Sequence, residues 1–483
     1  MIMESTQEEI VLFFLRDTIK GTEWENRVFL AGGAVRDEIM GKKAKDLDFV
    51  VTGDIDAGIK FSIWLGNHLG IYKDGSNPVI FPRYGTSKLS LGRNKLKLPN
   101  IDLEFVAPRK EVYTPGSRNP TVTAGTIEDD ALRRDLTINS LLKNISSGEI
   151  LDVSGKGIED IKNGVIRTPL DPAITFKDDP LRMMRAVRFS SKYGFDVPPE
   201  IINNIKKFSS LIDNISKERI MDELNKILVS PNPDKGISLL QSTGLMSHIM
   251  DEFNEAIGMK QNEYHTEDVF GHTMSVLKNT PPDLKTRLMA LFHDIGKVVT
   301  KTVSPEGSVH FIGHEMASED IVKKVMTRLK YPNDMIDAVA SGVRNHMHLK
   351  HGGDDASNIS DKTLRKFTNA VGDNLVHILD LIHADNVAHT SDASMPNQIE
   401  IVRKRIDNLS SKIDNSNVKL PINGDDLLAM GWKQGPIFRK VFDAIQDAWY
   451  ENPNITREEA LQIADRIKME NNINEMKRIM FYK

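Results

Sequence analysis

The sequence predicts an α+β chain, with strands gathered near the N-terminus and helices filling the rest. Three observations carry that expectation. The stretch VFLAGGAVRDEIMGKKAKDLDFV, residues 28–50, reads as strand, Gly-Gly turn, short helix and second strand. In Ile101-Asp102-Leu103-Glu104-Phe105-Val106, apolar residues alternate with acids, the period of a half-buried strand. Beyond Phe195 the apolar spacing becomes helical and stays so, broken by turns at Pro231-Asn232-Pro233 and Gly244.

Residues 4–20 have helical spacing and are expected to cover the first strand, Val28 to Ala31. Gly32 and Gly33 let backbone N–H groups approach a ligand closely, and the helix they open, carrying Arg36 and Asp37, suits a phosphate. Asp46 and Asp48 stand two apart on the next strand, so they share a face about 6–7 Å apart along the chain. Paired acids repel unless a cation lies between them, and oxygen-rich Mg²⁺ sites are the usual answer. Gly-Gly alone is a turn, and Asp-x-Asp alone is a common solvated strand face. Their order and spacing together describe a phosphate cradle beside a metal-binding acid pair, a site for nucleotidyl transfer. A helix over 56–69 and further strands through Phe105 follow. Glu104 stands where it can join Asp46 and Asp48, although plain strand polarity gives the same pattern. RYGTSKLSLGRNKLK, residues 83–97, reads either as a phosphate-gripping basic stripe or as a solvated loop.

Residues 126–144, TIEDDALRRDLTINSLLKN, carry an acid run into Arg133-Arg134-Asp135 and then a helical apolar pattern. Residues 152–167 combine turn chemistry with a small helix. KDDPLRMMRAVRFS, residues 177–190, starts a helix cleanly, with an acid at the cap position and Pro180 in the first turn. Leu181, Met184, Val187 and Phe189 can face a core, while Arg182, Arg185 and Arg188 recur every third residue. Pairing of Asp178 with Arg182, about 0.3 kcal/mol, accounts for one arginine only. Three of them suit a nucleoside triphosphate or its base edge.

After a polar boundary near 261–266 comes a second cluster: His272, His293-Asp294, His314, His346 and Asp385. Histidine is the commonest neutral metal ligand and carboxylate its natural hard partner, and this series fits a metallohydrolase. His351, His377, His383 and His389 lack such context and read as structural. Trp432, Phe438 and Trp449 keep helical spacing and read as core.

Composition narrows the class. With 483 residues, two to four domains are expected. No apolar run approaches the ~20 residues of a membrane span, and the first residues do not resemble a signal peptide. The expectation is a cytoplasmic enzyme with no membrane partner. Without cysteine there is neither disulfide nor thiolate ligand, so any metal must use His, Asp or Glu. A net charge of −5 neither demands nor excludes nucleic acid, since a local basic stripe suffices to grip phosphates.

The ordered motifs GGAVRD…DLD, RRDLTINS, D…G..DI…IR and DDPLRMMRAVRF resemble those of the class II, bacterial-type tRNA nucleotidyltransferases, the CCA-adding enzymes, which share their core with poly(A) polymerases. The His-Asp series is similar to the HD phosphohydrolase domain that one group of those enzymes carries. The resemblance implies an N-terminal mixed-sheet nucleotidyltransferase head (1–145), a helical nucleotide-selecting neck (146–262), an HD body (263–400) and a helical, tRNA-binding tail (401–483). It implies two Mg²⁺ ions on Asp46 and Asp48, with Glu104 as a third carboxylate. Gly32, Gly33 and Arg36 would touch the triphosphate, and Arg134 and Asp135 the ribose. Asp179 and Arg182 would read the base, with Arg185 and Arg188 nearby. His272, His293, Asp294 and Asp385 would hold Mg²⁺, Mn²⁺ or Ni²⁺, and His314 and His346 a second ion. Implied partners are tRNA, CTP and ATP, in a monomer or homodimer, with HD action on 2′,3′-cyclic or terminal phosphates. The family's Glu-Asp-x-x-Arg motif departs here, Asp178 replacing the glutamate. Rival expectations are a poly(A) polymerase, a partial CC- or A-adding enzyme, and a nucleotide second-messenger synthetase and hydrolase.

Overall fold

The computed structural model describes residues 6–44, 46–82, 85–92, 97–112, 121–261, 267–391, 393–410 and 420–481. The chain divides into two compact units, residues 1–254 with 325–331, and residues 255–324 with 332–483. Residues 83–84 and 93–96 of the basic stretch, and 262–266 of the boundary at 261–266, lie outside the described residues.

In the first unit the strands are β1 (Val28–Ala31), β2 (Leu47–Val51), β3 (Val79–Phe81), β4 (Thr86–Ser90), β5 (Asp102–Val106), β6 (Arg109–Val112), β7 (Thr121–Ala124), β8 (Leu142–Asn144) and β9 (Ile150–Leu151). β6 and β7 form a separate hairpin; the others make one mixed sheet in the order β3-β4-β5-β2-β1-β8-β9. Only β2 and β5 run parallel. β1 is buried at all four positions, as a central strand covered on both faces must be. The helix Ala57–His68 lies on the sheet, its Phe61 meeting Phe105 edge-on at 5.0 Å while Phe105 stacks on Phe49 at 5.2 Å.

One expected element is corrected. Within 126–144 only Ile127–Leu132 is α-helical; Thr137–Asn139 is a single 3₁₀ turn and Leu142–Asn144 is β8, paired with β1. A short apolar run such as Leu141-Leu142 suits either state, and pairing with β1 decided it.

Helices complete the unit. Pro172–Asp178 leads into Leu181–Tyr193, which packs on Lys217–Leu228 and Pro233–Ser242. In the second unit the buried helix Leu284–Phe292 is the hub, touching Val269–Asn279, Asn333–Asn345 and Leu375–Val387. The C-terminal helices Gly424–Ala429, Pro436–Glu451 and Arg457–Phe481 close a small core in which Trp432 packs with Leu427, Val441 and Ile445. Trp449 is buried too, and Phe438 packs against the same core, as their spacing predicts. Among the described residues no helix is long and apolar enough to cross a membrane.

Candidate active sites

The parallel register of β2 and β5 sets Asp48 directly beside Glu104. Neighbouring strands are about 4.8 Å apart, so the two carboxylates stand side by side. Desolvation, followed by the like charge of Glu104, raises the pKa of Asp48. Asp46 lies one residue before β2 and is exposed. Asp102, the other acid on β5, is already paired with Lys88 at 2.9 Å. Asp48 and Glu104 line a cavity of about 200 Å³ with Ala31, Thr86, Arg109 and Arg134.

Gly32 holds the turn at φ +60°, and a Cβ there would fall 2.6 Å from Arg134 Nη1 and 3.1 Å from the Asn139 carbonyl. Conformation and space both demand glycine. Gly33 opens the short helix Gly33–Ile39. Arg36 is enclosed, only 4% exposed. Its guanidinium donates to Asp37 Oδ1 at 2.8 and 2.9 Å and to Asn139 Oδ1, and lies over the rings of Tyr193 and Phe189. Tyr193 donates to the same Asp37 oxygen at 3.2 Å.

The expected Arg-Arg-Asp residues are also engaged. Arg133 and Arg134 grip the buried Asp130 at 2.5 and 2.9 Å. Burial opposes ionisation of Asp130, but the two guanidiniums hold its pKa below the usual range. Asp135 accepts from Leu136 N–H and Asn139 Nδ2 on one oxygen and from Arg185 on the other, at 2.7 and 2.6 Å. The next arginine, Arg188, donates to buried Glu223 at 2.6 Å. Of the predicted neck pair, Asp179 accepts from Leu181 N–H at 3.1 Å and from Arg219 at 2.9 Å. Pro180, rather than an acid, stands at the helix cap. Arg182 is 9% exposed, and its guanidinium has no hydrogen bond or ion pair among the described residues.

The second site gathers every predicted His and Asp. His293 and Asp294 follow the hub helix Leu284–Phe292, His272 is on Val269–Asn279, and Asp385 is on Leu375–Val387. Gly296 admits His314: a Cβ there would fall 2.2 Å from the His314 carbonyl. His293, His314 and His346 each use Nδ1 on the carbonyl three residues earlier, at 2.7, 2.9 and 2.6 Å. That contact fixes Nδ1 as the protonated nitrogen and leaves each Nε2 lone pair pointing inward. His293 Nε2 is buried without a hydrogen-bond partner, and the Nε2 atoms of His314 and His346 face each other at 3.4 Å. Two facing lone pairs repel unless a cation stands between them, so this donor set fits a metal. Asp294 divides its oxygens, Oδ2 lying 3.2 Å from His293 and 3.7 Å from His272, Oδ1 lying 3.3 Å from His314 and 3.8 Å from His346. Three groups with metal-ligand spacing result: His272, His293 and Asp294; Asp294, His314 and His346; and His272, Asp385 and His389.

The sequence reading left His389 structural, and the fold sets it beside the cluster. Its ring lies 5.2 Å from His272 and its Nδ1 meets the Asp385 carbonyl at 2.6 Å. The signal was present, since Asp385 and His389 are one helical turn apart. Glu223 was legible too, an acid on the stripe of Ile220, Leu224 and Ile227. Arg219, Asn139 and Lys350 left no such mark, because only tertiary packing brings them to their partners.

Residues 28–167 match the Poly A polymerase head domain, 194–257 a segment described as "probable RNA and SrmB- binding site of polymerase A", and 263–470 the HD domain. The mitochondrial CCA tRNA nucleotidyltransferase of Saccharomyces cerevisiae is 36% identical over 258 residues, 50% of this chain and 45% of that one. The chain spans about half the length of the fungal curated relatives it matches. The multifunctional CCA protein of Nitrosospira multiformis is 32% identical over 66% of this chain and 73% of its own. The Bacillus stearothermophilus CCA-adding enzyme, solved with CTP, shares the fold at a TM-score of 0.65 and 20% identity, covering 97% of this chain and 100% of that one. With the mixed-sheet head and the HD cluster both in place, the chain belongs to the CCA-adding tRNA nucleotidyltransferases.

Proposed function

We propose that this chain adds C, C and A to tRNA 3′ ends from CTP and ATP, without a nucleic-acid template. The observation that carries the reading is Asp48 in register with Glu104 beside the Gly32 turn, in one unit with Arg182, whose guanidinium makes no hydrogen bond or ion pair among the described residues. Asp46, Asp48 and Glu104 would hold Mg²⁺, which when bound neutralises triphosphate charge and acidifies the attacking hydroxyl. The Gly32-Gly33 turn and Arg134 would receive the triphosphate and ribose. Arg36 braces that turn from within, three of its five N–H donors going to Asp37 and Asn139. Asp135 positions Arg185, since both its oxygens are already taken up inside the protein.

Base choice rests on Asp179 and Arg182. Each carboxylate oxygen has two lone pairs, so Asp179 can accept an exocyclic amine while keeping Leu181 and Arg219. Arg182 donates to the ring acceptor beside that amine. Cytosine and adenine offer this pair; uracil and guanine set a carbonyl against the carboxylate. A buried mismatch of that kind costs about 1–3 kcal/mol or more.

The second site would be a metal-dependent phosphohydrolase acting on terminal or 2′,3′-cyclic phosphates. His272, His293, Asp294 and Asp385 would hold one divalent ion, and Asp294, His314 and His346 a second. The facing Nε2 atoms of His314 and His346 favour two positions.

The test is direct: purified protein, tRNA lacking its last three nucleotides, Mg²⁺, CTP and ATP, with the product sequenced. Ordered C, C, A addition supports the reading. Incorporation of ATP alone onto any RNA identifies a poly(A) polymerase instead.

A further inference from the structure

Two lysines line the histidine pocket, a space of about 720 Å³, and they are held differently. Lys297 Nζ is fixed by Asp294 Oδ2 at 2.7 Å and Gln261 Oε1 at 2.7 Å, and lies over the Phe311 ring. Lys350 Nζ meets Asp385 Oδ2 at 2.6 Å and has no other polar partner among the described residues. Asp385 therefore has a divided role. Its Oδ1 faces His272 at 3.0 Å and His293 at 4.0 Å, while its Oδ2 is taken by the ammonium. A carboxylate held by one oxygen cannot rotate away, so Oδ1 stays aimed at the imidazoles.

An ammonium has three N–H donors, and Lys350 spends one on Asp385. Its side chain is 11% exposed and borders a pocket shared with Asp294, His314 and His389. A phosphate oxygen is the acceptor best matched to the two remaining donors, because charge-assisted bonds in a dehydrated pocket are the strong ones. We propose that Lys350 anchors the phosphate of a phosphomonoester in this pocket, while its bond to Asp385 keeps that carboxylate turned toward the histidines. The proposal rests on the phosphohydrolase reading and adds a residue that touches substrate.

Calorimetry on the full-length protein tests it, with Mn²⁺ titrated first and inorganic phosphate second. K350Q keeps a hydrogen bond for Asp385 but loses the charge. Its phosphate Kd should rise about 10–100-fold, the worth of one charge-assisted bond, while its Mn²⁺ affinity stays within threefold. K350R should recover phosphate binding. Unchanged phosphate affinity in K350Q overturns the proposal. So does a fall in Mn²⁺ affinity that matches the fall for phosphate, which would make Lys350 a prop for Asp385 alone. If D294N binds Mn²⁺ as the wild type does, the phosphohydrolase reading fails, and the proposal with it.

Discussion

The first unit and the histidine cluster both bury charge, and they settle it in opposite ways. In the first unit buried acids meet guanidiniums: Asp130 with Arg133 and Arg134, Asp135 with Arg185, Glu223 with Arg188. Those pairs are closed, whereas the guanidinium of Arg182 makes no hydrogen bond or ion pair among the described residues. In the cluster, Asp294 and Asp385 sit among imidazoles, and the Nε2 atoms of His293, His314 and His346 point inward as acceptors. Closed pairs fix geometry, whereas a surplus of lone pairs waits for a cation. On the proposed reading, the first region would position a ligand and the second would hold an ion.

The sharpest break of that contrast lies in the head. Asp48→Asn removes one of the two in-register carboxylates and should cut CTP incorporation at least ~10³-fold with an unchanged circular dichroism spectrum. Asp294→Asn should weaken Mn²⁺ binding by about 100-fold in calorimetry, since one oxygen serves each histidine set.

Closed pairs should instead cost stability when opened. Glu223→Gln leaves Arg188 buried without its counter-charge and should lose about 3 kcal/mol in urea unfolding of the first unit. In the second unit, burial and the nearby His293 and His314 push His346 down to about 3, so it stays neutral in the fold. The unfolded chain protonates it below about pH 6.5. The unfolded state then binds more protons, and stability falls as pH falls. The contribution is about 1.4 kcal/mol per pH unit from 6.5 toward 3. His389 shifts the same way, to about 4, whereas His293 is raised and acts with the opposite sign. His346→Gln should flatten the acid limb of metal-free unfolding by that slope. The smallest effect is expected from Arg219→Met, which frees one oxygen of Asp179 and should relax nucleotide discrimination only about three- to tenfold.

How far the sequence carried the site depends on whether the signal was local. Gly32-Gly33 and Asp48 lie in one short segment, and Glu104 shows itself by strand alternation, so the head acids were legible. His293-Asp294 is likewise contiguous. What the motif did not show for Arg36 is its packing against the rings of Phe189 and Tyr193, over 150 residues away. Arg219 reaches Asp179 from a different helix, and no spacing rule links the two. The strand Leu142–Asn144 was read as helical because its partner β1 is remote in sequence.

On the proposed reading, Asp179 and Arg182 choose the nucleotide. The direct measurement is kcat/KM for CTP against UTP, and for ATP against GTP, on a tRNA primer with Arg182→Ala and Asp179→Ala protein. The account predicts that discrimination falls by about 100-fold or more in each variant while Asp48-dependent transfer persists. Discrimination equal to that of the wild type would contradict it.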